Sequence, residues 1–205
     1  MITIIDYGLG NLGSIKNMLK KVGAESEITT DLDKISNASK LILPGVGSFD
    51  NGMINLEEMG LLPILNKKIL EDKTPILGIC LGMQLFTNKS EEGVKKGLGW
   101  IDAKTTKFNT SLAEKKHTIP HMGWEFMEQC KGSKLLEGMY DESKYYFVHS
   151  YYVTCNDSND ILLKTNYIHD FVSAFEKENI IGVQFHPEKS HKFGMKLFKN
   201  FVENY

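Results

Sequence analysis

Apolar residues in the first half of the chain follow two alternating rhythms. Short runs that are almost wholly apolar, "ITIIDY" (2–7), "KLILPG" (40–45) and "PILGI" (75–79), alternate with segments where apolar residues recur every three or four positions. The first rhythm reads as strands buried on both faces, the second as amphipathic helices. Residues 11–23 carry Leu12, Ile15, Leu19 and Val22 at helical spacing, with Gly23 placed to end the helix. Residues 53–72 keep that spacing but are interrupted at Gly60 and Pro63, which predicts two helices. Strands alternating with helices imply a mostly parallel sheet covered on both sides.

Beyond residue 100 the pattern changes. Residues 100–108, 144–155, 161–167, 171–178 and 180–186 are strand-like and joined by short polar turns, which predicts an antiparallel extension of the sheet. Residues 191–205 form an amphipathic helix. There is no repeat, low-complexity tract or evident linker. The reading is one α/β domain over residues 1–205, its mostly parallel central sheet flanked by helices.

Composition narrows the function more than the fold. A net charge of −2 offers no electrostatic reason to expect nucleic acid or an anionic membrane surface as partner. No apolar run approaches the roughly 20 residues of a membrane span, and Asp6 interrupts what would have to be a signal peptide's apolar stretch. Cys80, Cys130 and Cys155 lack metal-ligand spacing and cannot all pair, so a reduced, cytoplasmic setting without metal or cofactor is expected.

One cysteine stands out. In "TPILGICLGMQLF" (74–86), Cys80 falls where a buried strand gives way to a helix, with Gly78 and Gly82 on either side. A sharp strand–turn–helix corner at the carboxyl end of a parallel strand projects a nucleophile, and the helix amino terminus would support a negatively charged sulfur. A small buried hydrophobe is the alternative reading. A nucleophilic cysteine needs a base, and the base an orienting group. "GVQFHPEKS" (182–190) has both: Pro187 favours an extended His186, and residues two apart in an extended chain share a side, so Glu188 can hold the imidazole. Taken alone, "HPE" is equally a surface turn.

"GICLGMQLF" together with "QFHPEKS" and "LILPGVGSFDNGM" (41–53) resembles the class I, or triad, glutamine amidotransferases. Within them, "IIDYGLGNLGSI", "TIPHMGWE" and "FVHSYYV" fall in the order seen in glutaminase subunits of imidazole glycerol phosphate synthases. The resemblance implies a Cys80–His186–Glu188 triad that hydrolyses glutamine. It implies an oxyanion hole from the backbone N–H groups of Leu81 and of Val46 or Gly47. Gly47, Gln84, Glu92, Ser150 and Tyr151 would form the glutamine pocket. It also implies a (β/α)8-barrel cyclase as partner, docked near Asn11, Met122 and Trp124, which receives the ammonia.

Two residues depart from that pattern: Glu125 stands where asparagine is usual, and Gly13 where a larger residue is common. They leave open a related glutaminase that feeds a sugar-modifying synthase. A non-catalytic binding subunit and a cysteine hydrolase of another γ-glutamyl amide are further alternatives. Among the remaining histidines, Pro120 between His117 and His121 argues against a metal face, His149 reads as pocket lining, and His169 and His191 as surface residues. Cys130 and Cys155 have no adjoining base and read as inert.

Overall fold

The computed structural model describes residues 1–112 and 117–205. In chain order the first half contains β1 (Ile2–Ile5), α1 (Leu12–Lys21), β2 (Ser26–Thr29), α2 (Leu32–Ser36), β3 (Leu41–Gly45), α3 (Phe49–Glu58), α4 (Leu61–Asn66), β4 (Ile76–Cys80) and α5 (Leu81–Leu85). The second half adds β5 (Ala103–Lys107), β6 (His121–Phe126), β7 (Glu128–Gln129), β8 (Lys144–His149), β9 (Tyr151–Cys155), β10 (Ile161–Asn166), β11 (Asp170–Lys177), β12 (Ile180–Val183) and α6 (His191–Asn204).

The main sheet runs β2-β1-β3-β4-β12-β11-β10-β7, with β9 on β11 and β5 on β9. Its first five strands are parallel, and from β11 onward the pairings are antiparallel. This is the parallel sheet with antiparallel extension that the hydrophobic rhythms imply. Side-chain alternation divides the core between its faces. Ile4, Ile42 and Leu77 pack with α1 and α6 residues such as Leu19 and Leu197. Ile5, Leu41 and Leu43 pack with Leu56, Leu65 and Leu85 from α3, α4 and α5.

Several expectations are corrected. The predicted strand 144–155 is two strands that part at Ser150: β9 joins the main sheet, while β8 pairs with β6 in a separate two-stranded sheet. β6, over His121–Phe126, is a strand that the hydrophobic pattern did not predict. α3 begins at Phe49, four residues before the predicted start. Gly60 does break the helical run, at φ +67. Pro63 does not, because it is the third residue of α4, where a backbone N–H has no intrahelical partner to lose. β2 and α2 were not foreseen: β2 is fully buried only at Thr29, and a five-residue helix is too short to show a period.

Gly78 and Gly82 have a different role from the one the sequence implied. A β-carbon on Gly82 would lie 1.8 Å from the Leu43 carbonyl oxygen, and one on Gly78 would lie 2.6 Å from Phe86. Both residues let α5 settle onto β3 and β4. The unusual backbone of the corner is taken by Cys80 itself, at φ +54 and ψ −108. A non-glycine residue in that region is strained and persists only where its surroundings hold it.

Candidate active site

β12 lies parallel beside β4 with Val183 opposite Ile79, so the two strands deliver their next residues to the same end of the sheet. Cys80 turns there into α5. From β12 the chain continues extended to His186 (φ −102, ψ 94), as Pro187 requires, and closes in a short 3-10 turn over Pro187–Lys189. Three contacts hold this turn. The His186 N–H donates to the Tyr146 carbonyl at 2.9 Å. Ser190 Oγ–H donates to the His186 carbonyl at 2.7 Å. Gly194 of α6 fits beneath it, where a β-carbon would lie 1.8 Å from the Pro187 oxygen.

His186 and Glu188 are both almost fully buried, with Nδ1 and Oε1 2.8 Å apart. The Nδ1–H donates to the carboxylate and keeps its proton, so Nε2 is left to face the cysteine. Nε2 has no other partner among the described residues. Burial works against a charge on this imidazole, but the neighbouring Cys80 sulfur and Glu188 carboxylate outweigh it and hold the histidine well above its ordinary value.

A cavity of about 300 Å³ opens over this group, lined by Val46, Gly47, Cys80, Leu81, Gln84, Glu92, Ser150, Tyr151 and His186, with Pro120, Val148 and His149 completing the wall. Every residue expected at the oxyanion hole or the substrate thus borders one space. Gly47, at φ +113, has a backbone few other residues adopt. Glu92 accepts the Phe49 N–H at 2.8 Å. Asp50 accepts the N–H groups of Val94 and Lys95 at 3.0 and 2.9 Å, so the loop carrying Glu92 is stitched to the start of α3. Gln84 donates from Nε2 both to the Tyr151 carbonyl (3.2 Å) and to Gln184 Oε1 (3.0 Å). Its donors are thereby engaged, leaving its oxygen as the atom it can offer to a ligand.

Gln184 is the residue that sequence reasoning missed. Its Nε2 donates to Cys80 Sγ at 3.6 Å. The signal was present: Gln184, His186 and Glu188 recur at every second position of "GVQFHPE", and only the last two were taken up. The helix-terminus support expected for the sulfur is weak, because α5 has only five residues and few aligned peptide dipoles.

Asn11, Met122 and Trp124 lie outside the cavity lining. Met122, Trp124 and Phe126 alternate outward along β6, 61%, 37% and 59% exposed, and Trp124 stacks on exposed His191 with ring centres 5.5 Å apart. Asn11 is exposed just before α1. His169 is no plain surface residue, being half-buried against Phe108 and Tyr152. Cys155 is pushed up to about 12, chiefly by burial.

His121 and His149 are both buried, with Nδ1 of the first 2.9 Å from Nε2 of the second. His149 Nδ1–H donates to the Tyr151 carbonyl at 2.7 Å, so its Nε2 accepts from His121. Burial lowers His121 to about 4 and His149 to about 3. Below an ordinary value of 6.5 the unfolded chain binds protons at these positions and the folded chain does not, so stability falls as pH drops from 6.5 towards 4. His186, raised, is charged in the folded state across that window and becomes charged in the unfolded chain just below 6.5, so it adds little slope over most of it. The expected outcome is a denaturant midpoint that declines steadily through this range and declines less in His121→Phe. A flat profile would mean that the pair is not held neutral.

The family model described as "Glutamine amidotransferase class-I" matches residues 3–205. A protein of Methanococcus maripaludis named "Imidazole glycerol phosphate synthase subunit HisH 2" is 60% identical over 203 residues, covering 99% of each chain. One of the same name from Pseudomonas aeruginosa is 48% identical over 203 residues, again covering 99% of each. Among solved structures, PurLQS from Thermotoga maritima shares the fold with a TM-score of 0.74 and 17% identity, over 98% of this chain and 96% of that one.

Proposed function

This chain belongs to the class-I glutamine amidotransferase family, and from that premise we propose that Cys80, His186 and Glu188 form the triad of a glutaminase that supplies ammonia to a synthase partner. The observation that carries the reading is that Cys80, at the end of β4, and His186, three residues beyond the adjacent parallel strand β12, border one cavity, with Glu188 held against the imidazole behind it.

The chemistry follows from the groups. Cys80 attacks the side-chain amide carbon of L-glutamine, and its proton resides on His186 Nε2. The carbonyl oxygen becomes an oxyanion beside the backbone N–H groups of Leu81 and of Val46 or Gly47, donors each worth about 3–4 kcal/mol in such sites. The carbon–nitrogen bond breaks as His186 returns the proton to the leaving nitrogen, giving ammonia and a thioester. Water then attacks the thioester, losing a proton to His186. The carbon–sulfur bond breaks, glutamate leaves and the thiol is restored. Glu188 keeps the imidazole in one tautomer throughout. Gln84 Oε1 and Glu92 suit the N–H groups of the substrate's amino-acid end, with Ser150 and Tyr151 closing the pocket.

The names of the full-length relatives support a partner of defined kind, the cyclase subunit of an imidazole glycerol phosphate synthase. That reading places the chain in histidine biosynthesis, its ammonia consumed by a (β/α)8 barrel that makes imidazole glycerol phosphate and an aminoimidazole carboxamide ribotide. The outward row of Met122, Trp124 and Phe126 suits a docking face, and Pro120, one residue before β6, borders the cavity. A partner seated on β6 would stand at the cavity mouth. Trp124→Ala is expected to weaken the complex by about 2 kcal/mol, roughly 30-fold in Kd, as for an aromatic hot spot. Undiminished affinity in titration calorimetry would remove Trp124 from the interface.

A second reading, ammonia delivered to a sugar-modifying synthase, is favoured by Glu125. This carboxylate is partly exposed on β6 between Trp124 and Phe126, a departure from the pattern that the resemblance implies there. Glutamate release, measured with and without a histidine-pathway cyclase carrying its ribonucleotide substrate, separates the two. Strong stimulation assigns the histidine pathway. Lack of stimulation, with Cys80 still labelled by a glutamine analogue, assigns another synthase.

A further inference from the structure

The side chain that donates to the Cys80 sulfur is an amide whose orientation is not free. Tyr151 offers a backbone carbonyl, which can only accept. Gln84 must therefore turn its NH2 group towards it, at 3.2 Å. The same nitrogen also donates to Gln184 Oε1, at 3.0 Å. With its oxygen occupied, Gln184 must present its own NH2 group to Cys80 Sγ, 3.6 Å away. Flipping either amide would set oxygen against oxygen, or oxygen against sulfur. His149 holds the start of the chain, its Nδ1–H donating to the same Tyr151 carbonyl at 2.7 Å. The direction of all these bonds is thus set by a peptide group that does not titrate.

The sulfur of a cysteine nucleophile alternates between an anion, which accepts hydrogen bonds strongly, and a thioester, which accepts them weakly. A fixed N–H beside it favours the anion before attack and again when the carbon–sulfur bond breaks. His186 cannot serve throughout, since its Nε2 is occupied with the leaving group and then with water. The five-residue α5 lends little. Gln184 is fully buried and does not line the cavity, so it reaches the sulfur without touching substrate.

We propose that Gln184 is a positioning residue for Cys80, a permanent donor to the reacting sulfur whose direction is imposed by the Tyr151 carbonyl through Gln84. The proposal rests on the reading of Cys80 as nucleophile and deepens it.

The test uses the full chain with Gln184→Met, which keeps length and loses the donor, and Gln184→Glu, which keeps shape and sets a carboxylate against the sulfur. Circular dichroism establishes that each is folded. Alkylation of Cys80 by iodoacetamide at neutral pH is expected to slow roughly tenfold in Gln184→Met, the size of one lost bond to a charged group, and further in Gln184→Glu. The ultraviolet thiolate absorbance, taken as the difference from Cys80→Ala, should fall in the same order. kcat for glutamine should drop in parallel, with KM changed less than about twofold because no substrate contact is lost. Unchanged alkylation in either folded variant overturns the proposal. The two readings fail separately. Glutamine hydrolysis that survives Cys80→Ala removes the nucleophile assignment, whereas alkylation indifferent to Gln184 removes only the donor.

Discussion

Cys80→Ala is expected to lower glutamine turnover by more than about 10⁴-fold while leaving the fold and glutamine binding intact, the usual result of removing a nucleophile that acts as a unit with its base. The substitution is mild structurally. Alanine keeps the β-carbon that cysteine already carries at φ +54, so it adds no backbone strain. What it removes is the atom between His186 and Gln184. No other thiol can stand in. Cys130 is exposed, Cys155 is held up near 12 by burial, and neither borders the cavity. Glutamate release by the purified variant, with its partner present, is the measurement. Activity within tenfold of the parent would assign the chemistry to another group. The thermal midpoint of the same sample tells a lost nucleophile from a lost fold.

Gly82→Ala should be severely damaging for so small an enlargement. Its β-carbon would fall 1.8 Å from the Leu43 carbonyl oxygen and 2.9 Å from the carbonyl carbon. Both are backbone atoms of β3, a strand paired on both edges in the middle of the sheet. A flexible side chain could swing away, but a central strand cannot, so α5 must lift off it and carry Cys80 along. Destabilisation of about 3 kcal/mol or more is expected, at the upper end of overpacking costs, which for a chain of this size lowers the melting temperature by roughly 6–12 °C. Glutaminase activity should fall even where the variant still folds. Gly13→Ala is the control. Gly13 lies in α1 with nothing within 4 Å of an added β-carbon, so this change should raise stability by about 0.5–1 kcal/mol through helix propensity. Equal melting temperatures for Gly82→Ala and the parent would mean that α5 and β3 do not hold the close approach that Gly82 makes possible.

Much of this was legible from the order of residues. A strand buried on both faces leaves a run such as "LILPG" or "ILGIC", and an amphipathic helix leaves a period, because burial acts on every residue of the element. The pairing of Cys80 with "HPE" was legible because proline constrains the residue before it and extended chains alternate sides. The resemblance to the amidotransferases then drew Val46, Gly47, Leu81, Gln84, Glu92, Ser150 and Tyr151 into one expected pocket, and the structure brings all of them to the same cavity.

Other features left no local trace. "KYYFVHSYYVTC" has one unbroken β-like composition, yet it serves two sheets, and which side of Ser150 joins which is decided by partners far away in sequence. The purpose of Gly78 and Gly82 looked like turn formation until α5 was seen resting on β3 and β4. His121 and His149 give no sequence sign of being buried against each other. Gln184 looked like one more strand residue, and only the fold brings Gln84 and the Tyr151 carbonyl, 100 and 33 positions away, to fix which end of its amide meets the sulfur. Most of the elements, the class of sheet and the candidate reacting groups could be read from residue order alone, because each depends on side-chain chemistry at short range. The tertiary structure alone decided the cavity, the direction of its hydrogen bonds and the protonation of its buried histidines, because these depend on which distant groups share a space without water.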